Sequence, residues 1–266
     1  MQSTKIDQWT SGVHYDQWMG RWSRLLAQEF LKWLDFPAGL RWIDVCCGSG
    51  MVTEAIVERS APASVVGVDA SAEQIRFARE HRAHPGVSFE IADATALLFA
   101  DSSFDAAVCG LGLNYIPNPD VALREFRRVV RFGGTVAVYV WDYAQGARFL
   151  REFWDAAIAV DSKAASFDQA QRFPMCTQEG LRSLFEQAKL EEIDVRALDV
   201  VTRFTDFDDY SEPLLTGQGS APNYLATRDE QIRTAIRERL KATLPTSDDG
   251  AIELPARAWA IRGRKL

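Results

Sequence analysis

Apolar residues recur along this chain in two rhythms. Between about Tyr15 and Leu34, the residues Trp18, Trp22, Leu25, Leu26 and Phe30 fall at the spacing of one helix face, and Pro37 with Gly39 ends the segment. Short apolar runs then follow at about 42–46, 64–69, 87–92, 104–109 and 134–141, each the length of a strand. Helical segments separate them. Ser71 with Gln74 three residues on is a capping box, which predicts a helix start just after Asp69. Another helix follows Pro119 and carries Val121, Leu123, Phe126, Val129 and Val130. A further helix begins near Thr177, and a last strand lies near 256–262. Strands alternating with helices predict an α/β fold built on a doubly wound, mostly parallel sheet. Right-handed crossovers then gather the strand ends on one edge, where ligands bind.

The most informative stretch is Trp42-Ile43-Asp44-Val45-Cys46-Cys47-Gly48-Ser49-Gly50, an apolar run that breaks into a small, glycine-rich turn. Glycines there let a ligand approach the backbone, because no side chain stands in the way. Asp69 closes the next apolar run, nineteen positions after Gly50. That is about the separation at which an acid on a second strand meets the ribose of a nucleotide bound at the first turn. The dinucleotide fingerprint needs a third glycine, and Thr53 stands at that position. No Lys-Ser/Thr pair follows the turn, so it is not an ATP-type phosphate loop. Glycines and an acid without a phosphate cradle suit a nucleoside that carries no phosphate.

These motifs resemble those of the class I S-adenosylmethionine-dependent methyltransferases. Asp44-Val45-Cys46-Cys47-Gly48-Ser49-Gly50 is similar to the family's first motif, with Cys46 in place of the first glycine. Val68-Asp69-Ala70-Ser71 is similar to the second. Ile91-Ala92-Asp93-Ala94, the run Ser103 to Leu111, and Phe132-Gly133-Gly134-Thr135-Val136-Ala137-Val138 match later motifs in order. The broad likeness is to the small-molecule branch that includes quinone-biosynthesis C-methyltransferases.

The resemblance implies a seven-stranded, Rossmann-like methyltransferase fold with a helical substrate-lid insertion, organised as one domain over residues 1–266. Within it, 1–36 would form an N-terminal helical lid and 40–141 the cofactor core, with 142–173 and 204–250 as substrate-side insertions. It implies S-adenosylmethionine as cofactor, S-adenosylhomocysteine as product and a small-molecule acceptor. Asp69, followed by Ala70, would hold the ribose hydroxyls, and Asp93 with Ala94 the adenine. Asp44, Cys46 and Gly48 would surround the methionine portion. Gly110 and Leu111 would pass the sulfonium, and Tyr15, Trp18 and Met19 would fold over the cofactor. Asn114 is a candidate for a substrate hydrogen bond, and Asp142 or Tyr143 for assisting deprotonation of the acceptor. Each residue also has a plainer reading. Asp69 and Asp93 could cap turns, Leu111 and Trp22 could be core, and Asp142 and Tyr143 could be structural. Buried Asp44 needs a partner, either the amides of the glycine turn or the cofactor's ammonium. Phe153, Trp154, Phe173, Tyr210 and Tyr224 suggest an aromatic-lined pocket in the insertions or, individually, core.

Composition narrows the alternatives. The chain has 266 residues, is 47% hydrophobic and carries a formal charge of −7. That balance gives no support for nucleic-acid binding. Arg124, Arg127 and Arg128 recur at helical spacing beside acids and read as a solvated helix face. Cysteines 46, 47, 109 and 176 form no C-x-x-C pair, and His14, His81 and His84 join no cysteine cluster, so neither a disulfide framework nor a metal site is expected. The polar start and the lack of a ~20-residue apolar run predict a cytoplasmic protein without a membrane span. Two competing readings stay open. One is a non-catalytic binding or partner protein that kept the fold, suggested by Cys46. The other is a nicotinamide-dependent oxidoreductase, against which Thr53 argues.

Overall fold

The computed structural model describes residues 19–215 and 219–266. Among the described residues seven strands are present: β1 (Arg41–Val45), β2 (Ser64–Asp69), β3 (Val87–Ile91), β4 (Phe104–Gly110), β5 (Val130–Trp141), β6 (Glu191–Phe204) and β7 (Ile252–Arg264). They form one sheet in the order β3-β2-β1-β4-β5-β7-β6. The pairs β1–β2, β2–β3, β1–β4 and β4–β5 are parallel. The central strands bury consecutive apolar residues, among them Trp42 and Ile43 of β1, Ala106 to Cys109 of β4 and Val136 to Val140 of β5. Such runs belong to strands covered on both faces.

The connecting helices are α1 (Arg21–Leu34), α2 (Met51–Ser60), α3 (Ala72–His81), α4 (Pro119–Val129), α5 (Arg148–Val160), α6 (Gln169–Arg172), α7 (Gln178–Gln187), α8 (Phe207–Ser211), α9 (Ser220–Ala226) and α10 (Glu230–Thr243). The expected cap of α3 is present: the Ser71 hydroxyl accepts from the Gln74 N–H at 3.3 Å. Thr177 caps α7 in the same way, accepting from Gly180. Among the described residues no helix is long and apolar enough to cross a membrane.

Four expectations need correction. Leu25 lies outside the apolar arc of α1 and is 44% exposed, while Trp22, Leu26, Phe30, Trp33 and Leu34 are buried. The fifth strand begins at Val130 rather than near 134, directly after α4. β6 was not anticipated as an element. It is an edge strand that alternates polar with apolar residues, so no apolar run announces it. Arg128 is not simply solvated. Its guanidinium donates to Glu125, to Asp101 and to the Leu97 and Phe99 carbonyls, pinning the 97–101 loop against α4.

The chain divides into two compact units. Of the described residues, the first holds 19–140 together with Thr177–Leu198 and Trp259–Leu266. In it α1 packs on α2 and α4 on α7, and Cys47, Ile75, Ala78 and Phe89 form one core cluster. The second holds Trp141–Cys176 and Asp199–Ala258. There α5 packs on α10, and the interior is aromatic. Trp154 lies 5.7 Å from Tyr224, Phe204 5.1 Å from Tyr210, and Phe153 5.0 Å from Trp154. An ion pair between Arg151 and Asp168, at 2.7 Å, is buried within it.

Candidate functional site at the strand switch point

The strand order turns at β1: β2 and β3 lie to one side, β4 and β5 to the other. The crevice beyond the carboxyl ends of such a pair is where open α/β sheets bind ligands. At the end of β1 the chain leaves the strand through Cys46, which holds a left-handed φ of 57°. Gly48 and Gly50 follow with φ of 52° and 87°, and Gly50 leads into α2. For a residue with a Cβ the left-handed conformation costs roughly 1–2 kcal/mol. Cys46 is accommodated because Gly112 faces it. A Cβ on Gly112 would stand 2.5 Å from the Cys46 Cβ, and close to the sulfurs of Cys46 and Cys109. The neighbouring Cys109 thiol and burial raise the Cys46 pKa. Over Gly48 the space is open, with no atom within 4 Å of where a Cβ would be.

Two carboxylates flank this turn. Asp69 Oδ2 accepts from the Gly48 N–H at 2.9 Å, and Oδ1 from the Ser71 N–H at 2.8 Å. The end of β2 is thereby fastened to the glycine turn. Burial raises the Asp69 pKa, and those backbone donors offset part of the rise. Asp44 is fully buried on β1. Its Oδ2 accepts from the Thr53 hydroxyl at 2.7 Å, while Oδ1 is buried without a partner. Burial pushes the Asp44 carboxyl up to about 7, the Thr53 hydroxyl draws it back part of the way, and the charge of Asp69 adds a smaller push upward. Asp44 therefore bonds neither amide of the glycine turn. The Gly48 amide is taken by Asp69, and Thr53 serves Asp44 instead. The Ser49 hydroxyl is also buried without a partner.

The remaining expected positions differ in environment. Asp93 is exposed beyond β3, where Oδ1 accepts from the Thr95 N–H at 2.8 Å and the Thr95 hydroxyl at 2.7 Å, which lowers its pKa. Ala94 beside it is buried, and Ala70 is exposed. The Ala92 N–H donates to the Asp69 carbonyl, so the ends of β2 and β3 are tied together. Gly110 ends β4, and a Cβ there would meet Tyr139 Oη and Val52 Cγ2 at 2.6 Å. Leu111, with φ of 59°, turns the chain and donates its N–H to the Tyr139 carbonyl. Asn114 follows on a short turn and is buried. Met19 is buried; Tyr15 and Trp18 lie outside the described residues.

Asp142 and Tyr143 belong to the second unit. Asp142 is buried and closes a turn: its Oδ1 accepts from the Gln145 N–H, and its carbonyl from Gly146 and Ala147. The Tyr143 ring lies 5.8 Å from that of Phe173. Phe153, Trp154, Tyr210 and Tyr224 are wholly buried and pack within that unit, so for these four the core reading holds. Thr53, Ser49 and Gly112 were not recognised from sequence. Thr53 drew notice only as a missing glycine, although its hydroxyl is what Asp44 needs. Among the described residues no group of three or more metal-ligating side chains is present.

The first unit thus offers an open space above a glycine, an unfilled carboxylate oxygen, an unfilled hydroxyl and two nearby acids whose ionisation burial opposes. A ligand with hydroxyls and a positive charge meets each of these needs. Comparison with known proteins agrees with that chemistry. Residues 43–138 match the family model described as a methyltransferase domain. A demethylmenaquinone methyltransferase of Staphylococcus aureus is 28% identical over 207 residues, covering 73% of this chain and 84% of that protein. A phosphoethanolamine N-methyltransferase of Haemonchus contortus, solved with S-adenosylhomocysteine, superposes with a TM-score of 0.58 at 17% identity, covering 96% of this chain and 56% of that one. The YcgJ protein of Bacillus subtilis gives 0.57 at 16% identity, covering 90% and 97%.

Proposed function

We propose that this chain is a class I S-adenosylmethionine-dependent methyltransferase, and that it methylates a small acceptor of aromatic or apolar character. The observation that carries the acceptor class is the likeness, over 73% of the chain, to a protein that acts on demethylmenaquinone.

The residues present fit the cofactor. Asp69 is held by two backbone amides and would keep lone pairs for the ribose hydroxyls. The empty oxygen of Asp44 and the Ser49 hydroxyl would receive the methionine portion and its ammonium. Asp93 with Ala94 would stand at the adenine, and Ala70, Cys46, Gly48, Gly110 and Leu111 would bound the rest. Met19 would cover it. S-adenosylmethionine, when bound, supplies a methyl group on a sulfonium, and sulfur keeps the carbon–sulfur electron pair as S-adenosylhomocysteine forms. The chain's own work is then to align the acceptor and exclude water. A proton acceptor is needed only where the acceptor loses a proton; Asp142 and Tyr143 are candidates for that role. In this reading 142–173 and 204–250 are the substrate-side insertions.

Calorimetric titration with S-adenosylhomocysteine tests the cofactor site. Micromolar binding is expected, weakened on the order of a hundredfold in Asp69→Ala, since hydrogen bonds to a charged group are worth about 1.5–3 kcal/mol each. No binding by the unaltered protein would sink the reading. Binding without transfer to any acceptor would favour the non-catalytic alternative.

A further inference from the structure

We infer that Cys46 and Cys109 form a reversible oxidation site: hydrogen peroxide joins their sulfurs in a disulfide, and that bond closes the cofactor site. The closing of the site rests on the methyl-transfer reading above; the disulfide itself does not.

All four cysteines are free thiols, and Cys46 alone is partly exposed. The backbone brings Cys46 and Cys109 within bonding range. β1 and β4 pair in parallel with Asp44 opposite Val108, so the register carries Val45 to Cys109 and leaves Cys46 one residue beyond. With strands about 4.8 Å apart and a rise of about 3.3 Å per residue, Cα atoms on that diagonal stand roughly 6 Å apart. Disulfides span about 4.4–6.8 Å between Cα atoms. On a continuing strand the Cys46 side chain would point to the face opposite Cys109. Its left-handed φ of 57° ends the strand and turns the side chain back. Both sulfurs then converge on Gly112, where a Cβ would stand 3.3 Å from that of Cys46 and 3.2 Å from that of Cys109. As a glycine, residue 112 places nothing between them. Cys47 packs elsewhere. Its sulfur lies 3.1 Å from where a Gly67 Cβ would be, and the residue belongs to the cluster with Ile75, Ala78 and Phe89.

The Cys46 thiolate attacks one peroxide oxygen. A sulfur–oxygen bond forms, the oxygen–oxygen bond breaks, and hydroxide leaves to become water. The Cys109 thiol then loses its proton and its sulfur attacks that of Cys46, so that a sulfur–sulfur bond forms and a second water leaves. Two electrons pass from the two thiols to the peroxide. The Cys109 thiol, burial, and the charges of Asp69 and Cys47 all hold Cys46 in its protonated form. The first step is therefore slow at neutral pH and quickens as pH rises. Selectivity comes from the second sulfur standing beside the first. In the reading above Cys46 bounds the methionine portion of the cofactor, so a bond from it to β4 rebuilds the wall of that site.

The test treats the full-length protein with hydrogen peroxide, blocks free thiols, digests with trypsin and maps the products by mass spectrometry. The expected product is peptide 42–59 joined to peptide 83–124, with fragmentation placing the bond on Cys46 rather than Cys47. It should form several-fold faster near pH 9 than near pH 7. Affinity for S-adenosylhomocysteine should fall at least about tenfold and return with dithiothreitol. Reduced Cys109→Ala should bind S-adenosylhomocysteine within about twofold of the unaltered protein and keep that affinity through peroxide treatment. Absence of the cross-link, a cross-link through Cys47, or a rate that does not rise with pH would overturn the inference. So would a cross-link that leaves S-adenosylhomocysteine affinity unchanged, or an equal loss of affinity in Cys109→Ala, which would assign the effect to another oxidised side chain. Should Cys109→Ala not fold, the mapping and affinity measurements on the unaltered protein decide alone. Failure of the reduced, unaltered protein to bind S-adenosylhomocysteine would instead remove the methyl-transfer reading and with it the closing of the site.

Discussion

At Asp44 a single carboxyl couples the site to stability. Its folded pKa is about 7, against 3.8 in the unfolded chain. Between those values the folded protein holds a proton that the unfolded chain has released. Stability is therefore fully present below about pH 4 and is lost as pH rises toward 7, by at most about 1.4 kcal/mol per pH unit. Asp69, also raised by burial, acts in the same direction. Asp105 is held down to about 2, chiefly by the Arg41 backbone amide and the Arg131 and Arg41 guanidinium groups, which outweigh its desolvation, so its contribution falls below this window. Urea midpoints at pH 4.5, 5.5, 6.5 and 7.5 are expected to decline in the unaltered protein relative to Asp44→Asn. A constant difference across that range would show that Asp44 is not the titrating group. Much of this was legible in the sequence, since an acid in an apolar run must be buried or paired. That Thr53 supplies the pairing was not, because the two meet only once β1 and α2 stand side by side.

At the scale of elements, the turns after β1 and β4 depend on each other. Cys46 can replace a glycine because Gly112 gives up its side chain. The sequence shows each residue but not that they face one another. Gly110 carries a similar constraint at the end of β4, where a methyl group would collide with Tyr139 and Val52. Gly110→Ala should cost about 1–3 kcal/mol by overpacking, read as a lower urea midpoint with unchanged slope. A midpoint equal to that of the unaltered protein would mean that β4 and β5 separate more easily than their buried pairing suggests. The central strands were readable as apolar runs because both of their faces are covered. β6 was not, since an edge strand has one wet face and alternates. Arg128 was misread for a related reason: helical spacing places it on α4 but cannot show that the 97–101 loop returns to it.

For the whole molecule, the sheet and the two units set what surrounds each group. In the second unit Arg151 and Asp168 are buried against each other, 10% and 4% exposed at the side chain. Asp155 also accepts from Arg151. Removing one buried partner strands the other, so Arg151→Met should cost about 3–5 kcal/mol, and Arg151→Met with Asp168→Leu should recover most of it. Equal loss in the single and double variants, by chemical denaturation, would contradict that. Composition and spacing alone determined the α/β class, the parallel central strands and the glycine turn with its acids, while the cofactor was implied by the motif resemblance. All of these are local patterns of apolarity, turn chemistry and short-range spacing. Only the tertiary structure decided which amides Asp69 takes, why Cys46 is tolerated, and that Asn114 is buried without a partner. It also decided that four aromatics of the insertions are core. Those outcomes depend on residues far apart in sequence meeting in a packed interior, where burial and partner choice are set by the whole fold.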